Sequence, residues 1–156
     1  MAQGLLSQGY LTQGLMTLFL FAASVIDIIR RKLSVHFIIM GFLIVGISQL
    51  GVFFIMDNAE KWQFTFTLFC GLILGLLFVL ISIVTRERLG KADSLLFCIC
   101  GLATGFGKLL AVIMLSFLLG AIYSIAMMAI GRLNRKSSFA FAPFILLGYI
   151  MVLFIR

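Results

Sequence analysis

The stretch LLFCICGLATGFGKLLAVIMLSFLLG, Leu95 to Gly120, decides how this chain is folded. It is apolar almost throughout, and Lys108 is its only charged residue. Taken whole, it is longer than the ~20 residues that a helix needs to cross a bilayer. Gly105 and Gly107 flank the lysine, and glycine accepts the positive φ that a tight turn requires. We therefore predict two membrane spans that meet near Lys108, with one long tilted helix as the alternative.

The composition of the whole chain also indicates a membrane protein. Of its 156 residues, 63% are hydrophobic and 11% are charged, whereas soluble domains are about half apolar and a quarter charged. We predict an all-α fold of about six transmembrane helices, forming a single polytopic membrane domain over residues 1–156. The predicted spans are Tyr10–Ile29, Phe37–Met56, Trp62–Val84, Leu95–Gly107, Leu109–Gly131 and Phe139–Ile155.

The basic residues predict the orientation of these spans. Nine of the 12 lysines and arginines follow spans 1, 3 and 5 in short clusters. Because basic loops mark the cytoplasmic side, the pattern places these three loops in the cytoplasm and both termini outside. The net charge of +7 is then explained by the basic residues of these cytoplasmic loops. The expected surroundings are membrane lipid, and no nucleic-acid partner is predicted.

Two of the five acidic residues stand apart from the others. Asp57 and Glu60 fall in a predicted loop, and Glu87 lies between two arginines. Asp27, in contrast, falls in the last turn of span 1, and Asp93 begins span 4. The predicted topology puts both at the cytoplasmic end of their spans. Acidic residues within membrane segments are costly and usually mark function.

Two interpretations of these acids remain open. Asp27 can pair with Arg30 or Arg31 on its own helix, and Asp93 can be an anion favoured by a helix N-terminus. Alternatively, the two carboxylates meet, share a proton and act as general base and general acid, as in aspartic proteases. That chemistry requires no cofactor, and the three cysteines and one histidine form no metal-ligand pattern.

Three stretches resemble the type IV prepilin peptidases, which are intramembrane aspartic proteases of the GxGD type. DIIRRKLS (27–34) is similar to the family's aspartate followed by a basic stretch, and GKAD (90–93) stands in place of Gly-x-Gly-Asp. FAFAPFILLG (139–148) resembles a C-terminal segment rich in Pro and Phe. The resemblance implies that Asp27 and Asp93 are catalytic. It also implies that four residues shape the site or bind substrate: Gly90, Lys91, Ala92 and Pro143.

The resemblance further implies a function. The family removes the leader peptide of prepilins or pseudopilins at the cytoplasmic face of a bacterial inner membrane, in type IV pilus assembly and protein secretion. Larger members carry an insertion associated with methylating the new N-terminus, and no such insertion separates spans 1 and 2 here. We therefore expect a peptidase without methyltransferase activity.

One departure from the family pattern matters for activity. Ala92 stands where the family has its second glycine, and a requirement for positive φ at that position would disfavour alanine. Two other functions stay open at this point. One is a small proton- or ion-coupled transporter subunit in which the two acids relay charge, and the other is a catalytically inactive membrane assembly protein.

Overall fold

Helices account for almost all of the described chain. The structure is a computed structural model that describes residues 2–30, 34–56, 58–85, 90–130 and 140–154. Its helices are α1 (Ala2–Arg30), α2 (Val35–Ile55), α3 (Asn58–Val84), α4 (Lys91–Ala129) and α5 (Ala142–Phe154). Four of them, α1 to α4, are long and apolar enough to cross a membrane, and α5 is a shorter apolar helix. The prediction of an all-α, multi-pass membrane protein is confirmed.

Helix α4 folds back on itself at Gly105. This residue has φ 75° and ψ 179°, a conformation outside the helical region, and glycine adopts it without steric cost. The first arm of α4 comprises residues 91–104 and the second arm residues 106–129. The rings of Phe97 and Phe117 lie 6.0 Å apart, although an unbroken helix would separate residues 20 positions apart by about 30 Å. The two arms therefore run side by side in opposite directions.

As predicted, a glycine interrupts this stretch. The break lies at Gly105, however, and Lys108 belongs to the second arm. The first arm is shorter than the ~20 residues that span a bilayer. The count of six spans and the outside position of both termini therefore remain predictions. Predicted spans 2, 3 and 6 coincide with α2, α3 and α5 to within about one helical turn.

Gln49 of α2 compensates for the interruption of α4. In an unbroken helix, each carbonyl accepts a hydrogen bond from the N–H four residues later, and the break at Gly105 interrupts this pattern. The Gln49 side chain is buried, and its Nε2 donates to the carbonyl oxygens of Leu102 and Ala103, both at 2.9 Å. Since lipid offers no hydrogen-bond partners, this amide satisfies carbonyls that the turn would otherwise leave unpaired.

We expect Gln49→Leu to lower the free energy of unfolding by about 1–2 kcal/mol, because it leaves buried carbonyls without a donor. The measurement is denaturant unfolding of the purified protein in detergent micelles, followed by circular dichroism. Gln63→Leu is the matched control, since Gln63 is exposed on α3. Equal losses in the two variants would contradict this role for Gln49.

Glycines bring α3 and the first arm of α4 into backbone contact. A Cβ atom on Gly71 would lie 2.5 Å from the carbonyl oxygen of Gly101, and one on Gly75 would lie 2.5 Å from the Cα of Cys98. Small residues at four-residue spacing allow such approach in membranes. The first arm of α4 thus forms the centre of the fold, and Leu96 through Cys100 are at most 1% exposed.

Candidate active site

Asp93 lies in the first turn of α4, where the helix dipole favours a negative charge. Gly90 is the N-cap residue, and its carbonyl accepts hydrogen bonds from the backbone N–H and the Oγ of Ser94, at 3.2 and 3.3 Å. The Asp93 side chain is half-buried. Asp93 is therefore fixed at the start of the first arm of α4, which forms the centre of the fold.

Gly90 makes room for the Asp93 carboxylate. A Cβ atom at residue 90 would lie 2.5 Å from Asp93 Oδ2. The backbone of Gly90 has φ −54° and ψ 124°, which any residue can adopt. Glycine is thus needed here for space rather than for an unusual conformation.

Ala92 is compatible with the observed backbone. It lies inside α4, whose single non-helical residue is Gly105, and its side chain packs against the hydrophobic core. The departure from Gly-x-Gly-Asp therefore introduces no positive φ at residue 92. Lys91 begins the same helix, and its side chain lies outside the described part of the structure, so its predicted role stays a prediction.

Asp27 lies in the last turn of α1 and is half-buried. Its Oδ2 accepts a hydrogen bond of 3.2 Å from the backbone N–H of Ala142, the first residue of α5. A helix N-terminus carries partial positive charge, so α5 stabilises a carboxylate that the C-terminal end of α1 alone would disfavour. Among the described residues, the hydrogen-bond partner of Asp27 is thus α5 rather than Arg30, and Arg31 lies outside them.

The first turn of α5 leaves one amide for Asp27. Pro143 is the second residue of the helix and has no N–H to donate. The N–H groups of Phe144 and Ile145 both donate to the carbonyl oxygen of Phe141, at 3.0 and 3.4 Å. The Ala142 N–H is the remaining donor of this turn, and Asp27 accepts from it.

Three helix ends therefore converge at one end of the bundle. Asp27 comes from the C-terminal end of α1, Asp93 from the N-terminal end of α4, and Ala142 from the N-terminal end of α5. The hydrogen bond from Ala142 to Asp27 joins the ends of α1 and α5, and the rings of Phe141 and Phe97, 6.3 Å apart, place the start of α5 beside the first turns of α4. Two neighbouring carboxyl groups hold and release protons as a coupled pair, which suits general acid–base catalysis.

Two of the three cysteines lie away from this convergence. Cys98 and Cys100 are free and buried in the centre of the first arm. Within the described ranges, no three side chains of the metal-binding types come together. The two carboxylates and the N-terminus of α5 are therefore among the chemical groups that the described part of this end presents.

Comparison with known proteins identifies the family of this chain. A model of the type IV leader peptidase family matches residues 14–125. The chain belongs to this family. The matched residues include Asp27, Gly90 and Asp93 and end before α5. The family predicted from the sequence is therefore confirmed, whereas the stretch 139–148 and the contact between Asp27 and Ala142 reach beyond the matched residues.

A curated relative shows the same likeness over a shorter range. A prepilin leader peptidase/N-methyltransferase of Bacillus subtilis (strain 168) is 35% identical over 82 residues. Those residues make up 52% of this chain and 33% of that protein, so the likeness covers only about a third of the relative's length. No solved structure matches this member of the type IV leader peptidase family.

Proposed function

We propose that this chain is an aspartic endopeptidase that removes the leader peptide of prepilin-like substrates, with Asp27 and Asp93 as its catalytic pair. The observation that carries the proposal is the convergence of the helix ends that bear the two carboxylates, in a member of the type IV leader peptidase family. The proposed location is the cytoplasmic face of a bacterial inner membrane, because Arg30 and the neighbouring basic residues follow Asp27 directly.

The proposed reaction is hydrolysis of a peptide bond by a water molecule. One carboxylate takes a proton from the water, and the oxygen of that water forms a bond to the scissile carbonyl carbon. The other carboxyl group, which carries the shared proton, donates it to the carbonyl oxygen. When the tetrahedral intermediate collapses, the C–N bond breaks and the carboxyl group that took the proton of the water gives it to the departing nitrogen. A hydroxyl group of the intermediate returns its proton to the other carboxylate as the new carboxyl group of the product forms. The pair then holds one proton again.

The depth of the site suggests where a substrate is cut. Asp27 and Asp93 lie at the ends of apolar helices, so the scissile bond would lie at the membrane surface, just before an apolar segment of the substrate. A polar leader that precedes an apolar helix has this layout. The substrate class is therefore a prepilin or pseudopilin whose apolar helix stays in the bilayer while its leader is removed.

We do not extend the relative's methyltransferase activity to this chain. The segment between α1 and α2 comprises only residues 31–34, so no insertion lies at this place in the chain. We expect the mature substrate to keep an unmethylated N-terminus. Mass spectrometry of the cleaved product, with and without added S-adenosylmethionine, tests this expectation, and a mass increase of one methyl group would contradict it.

The experiment that tests the proposed function is a cleavage assay. The purified chain is placed in lipid vesicles with a synthetic prepilin-like peptide, and the products are identified by mass spectrometry. We expect a single cut at the junction between the leader and the apolar segment. If the chain is folded in the vesicles and releases no leader from any prepilin encoded beside it, the proposal fails.

We expect Gly90→Ala to lower the cleavage rate by about 10- to 100-fold, because a displaced catalytic group loses its alignment with the substrate. The added Cβ would occupy the space of Asp93 Oδ2, so the carboxylate moves while the helix remains. Initial rates and thermal unfolding are measured together. Gly107→Ala is the control, since a Cβ there meets no atom within 4 Å. An unchanged cleavage rate in Gly90→Ala would show that catalysis does not require the Asp93 carboxylate to lie against residue 90.

A further inference from the structure

The start of α5 is tied to the helix that carries Asp93. The ring of Phe141, the residue before Ala142, lies 6.3 Å from the ring of Phe97 and 5.4 Å from that of Phe117. Aromatic pairs at these separations attract one another beyond the burial of their surface. Phe97 follows Asp93 by about one helical turn on the first arm of α4.

A glycine of the second arm provides the space for the Phe141 ring. A Cβ on Gly120 would lie 2.9 Å from Phe141 Cε2, so the ring sits directly over the backbone of the second arm. The position of Phe141 also fixes that of Ala142, the next residue, because the carbonyl oxygen of Phe141 accepts the first hydrogen bonds of α5. The aromatic cluster therefore holds the first turn of α5 against both arms of α4.

We propose that Phe141 and Ala142 are positioning residues, which set the place of the Asp27 carboxylate relative to Asp93. Ala142 does so through its backbone N–H, which occupies Oδ2 of Asp27 and leaves the other oxygen for the attacking water. Phe141 does so by anchoring that N–H to the helix of Asp93. This inference rests on the proposed function, and it assigns to α5 a task in catalysis that lies outside the family match.

The decisive variant is Ala142→Pro, with Ala142→Val as its matched control. Proline is well accepted at the first position of a helix and lacks the N–H, so it removes the donor to Asp27 and keeps the helix. Valine adds the same number of carbon atoms to this fully buried position and keeps the N–H. We expect Ala142→Pro to lower kcat by at least about tenfold with little change in KM, because misplacement of a catalytic group impairs the chemical step. Ala142→Val adds the same bulk and keeps the N–H, so its loss of kcat should be at least about threefold smaller than that of Ala142→Pro.

A second readout does not depend on cleavage. Carbodiimides modify carboxyl groups, and a carboxylate oxygen that is engaged by a hydrogen-bond donor is less available to the reagent than a free one. In Ala142→Pro we therefore expect faster modification of Asp27, measured by mass spectrometry of the peptide that contains it. In Ala142→Val the rate should match that of the unchanged chain. Phe141→Leu, which keeps the N–H and loosens the aromatic cluster, should change both readouts in the same direction as Ala142→Pro by a smaller factor.

The two readouts separate this inference from the proposed function. If the unchanged chain cleaves no leader, the proposed function fails, whereas the modification rates of Asp27 still decide whether α5 holds its carboxylate. Equal modification of Asp27 in Ala142→Pro and Ala142→Val would overturn the inference. So would an equal loss of kcat in these two variants, because bulk rather than the missing N–H would then explain the loss.

Discussion

We expect Asp27→Asn and Asp93→Asn each to lower the rate of leader cleavage by at least about 1,000-fold, because each removes one member of an acid–base pair. Asparagine keeps the size of the side chain and its ability to accept the hydrogen bond from Ala142. The loss should therefore appear in kcat with normal amounts of folded protein in the membrane. The double variant should be no slower than either single one, since residues that act as a unit are not additive.

The controls for this prediction separate catalysis from the loss of a negative charge. Asp57→Asn makes the same chemical change in the segment between α2 and α3, and we expect cleavage at the normal rate. The assay follows the leader of a co-expressed prepilin on a gel and compares the amounts of each variant in the membrane. Cleavage that survives Asp27→Asn or Asp93→Asn would remove that carboxylate from the chemistry.

The second large effect concerns stability. We expect Gly75→Ala to lower the free energy of unfolding by about 2–3 kcal/mol, because the added methyl group overpacks a closely packed contact. The Cβ would lie 2.5 Å from Cys98 Cα, and a backbone atom cannot rotate away as a side chain can. The two helices must therefore separate, and the central arm of α4 loses contacts along its length.

Gly46→Ala is the matched control for Gly75→Ala. A Cβ on Gly46 meets no atom within 4 Å, and replacing a helical glycine with alanine favours the helix by about 0.5–1 kcal/mol. We therefore expect Gly46→Ala to be as stable as the unchanged chain or slightly more so, in denaturant unfolding in micelles. If Gly75→Ala were as stable as Gly46→Ala, the close approach of α3 and α4 would be contradicted.

Much of the fold could be predicted from the sequence, because lipid imposes strong rules on composition and length. Apolar runs of about 20 residues predicted α2 and α3 to within about a turn. The two glycines just before Lys108 predicted a break in this stretch, and it lies at the first of them, Gly105. The hydrogen bonds that Gln49 donates at this break could not be predicted. They reach the carbonyl oxygens of residues 102 and 103, which lie 53 and 54 positions further along the sequence.

The candidate site was predictable in part. Asp27 and Asp93 stand out because acids are rare in apolar helices, and GKAD marks the second of them. The role of Gly90 as space for a carboxylate is visible only in three dimensions. Pro143 marked the start of α5, but the donor to Asp27 is its neighbour Ala142, 115 residues away along the chain. Every residue except proline has a backbone N–H, so residue types alone do not show which N–H donates to Asp27.

The measurement that tests the central claim most directly is chemical cross-linking of the two catalytic positions. The double variant Asp27→Cys with Asp93→Cys is treated in membranes with a short reagent that joins two thiols. The pair Asp27→Cys with Ala142→Cys serves as the positive control, because residues 27 and 142 are in contact. Each single variant reports any reaction with the native cysteines, of which Cys98 and Cys100 are buried. We predict rapid cross-linking within one chain between positions 27 and 93. Its absence, when the positive control does cross-link, would contradict a shared carboxylate site.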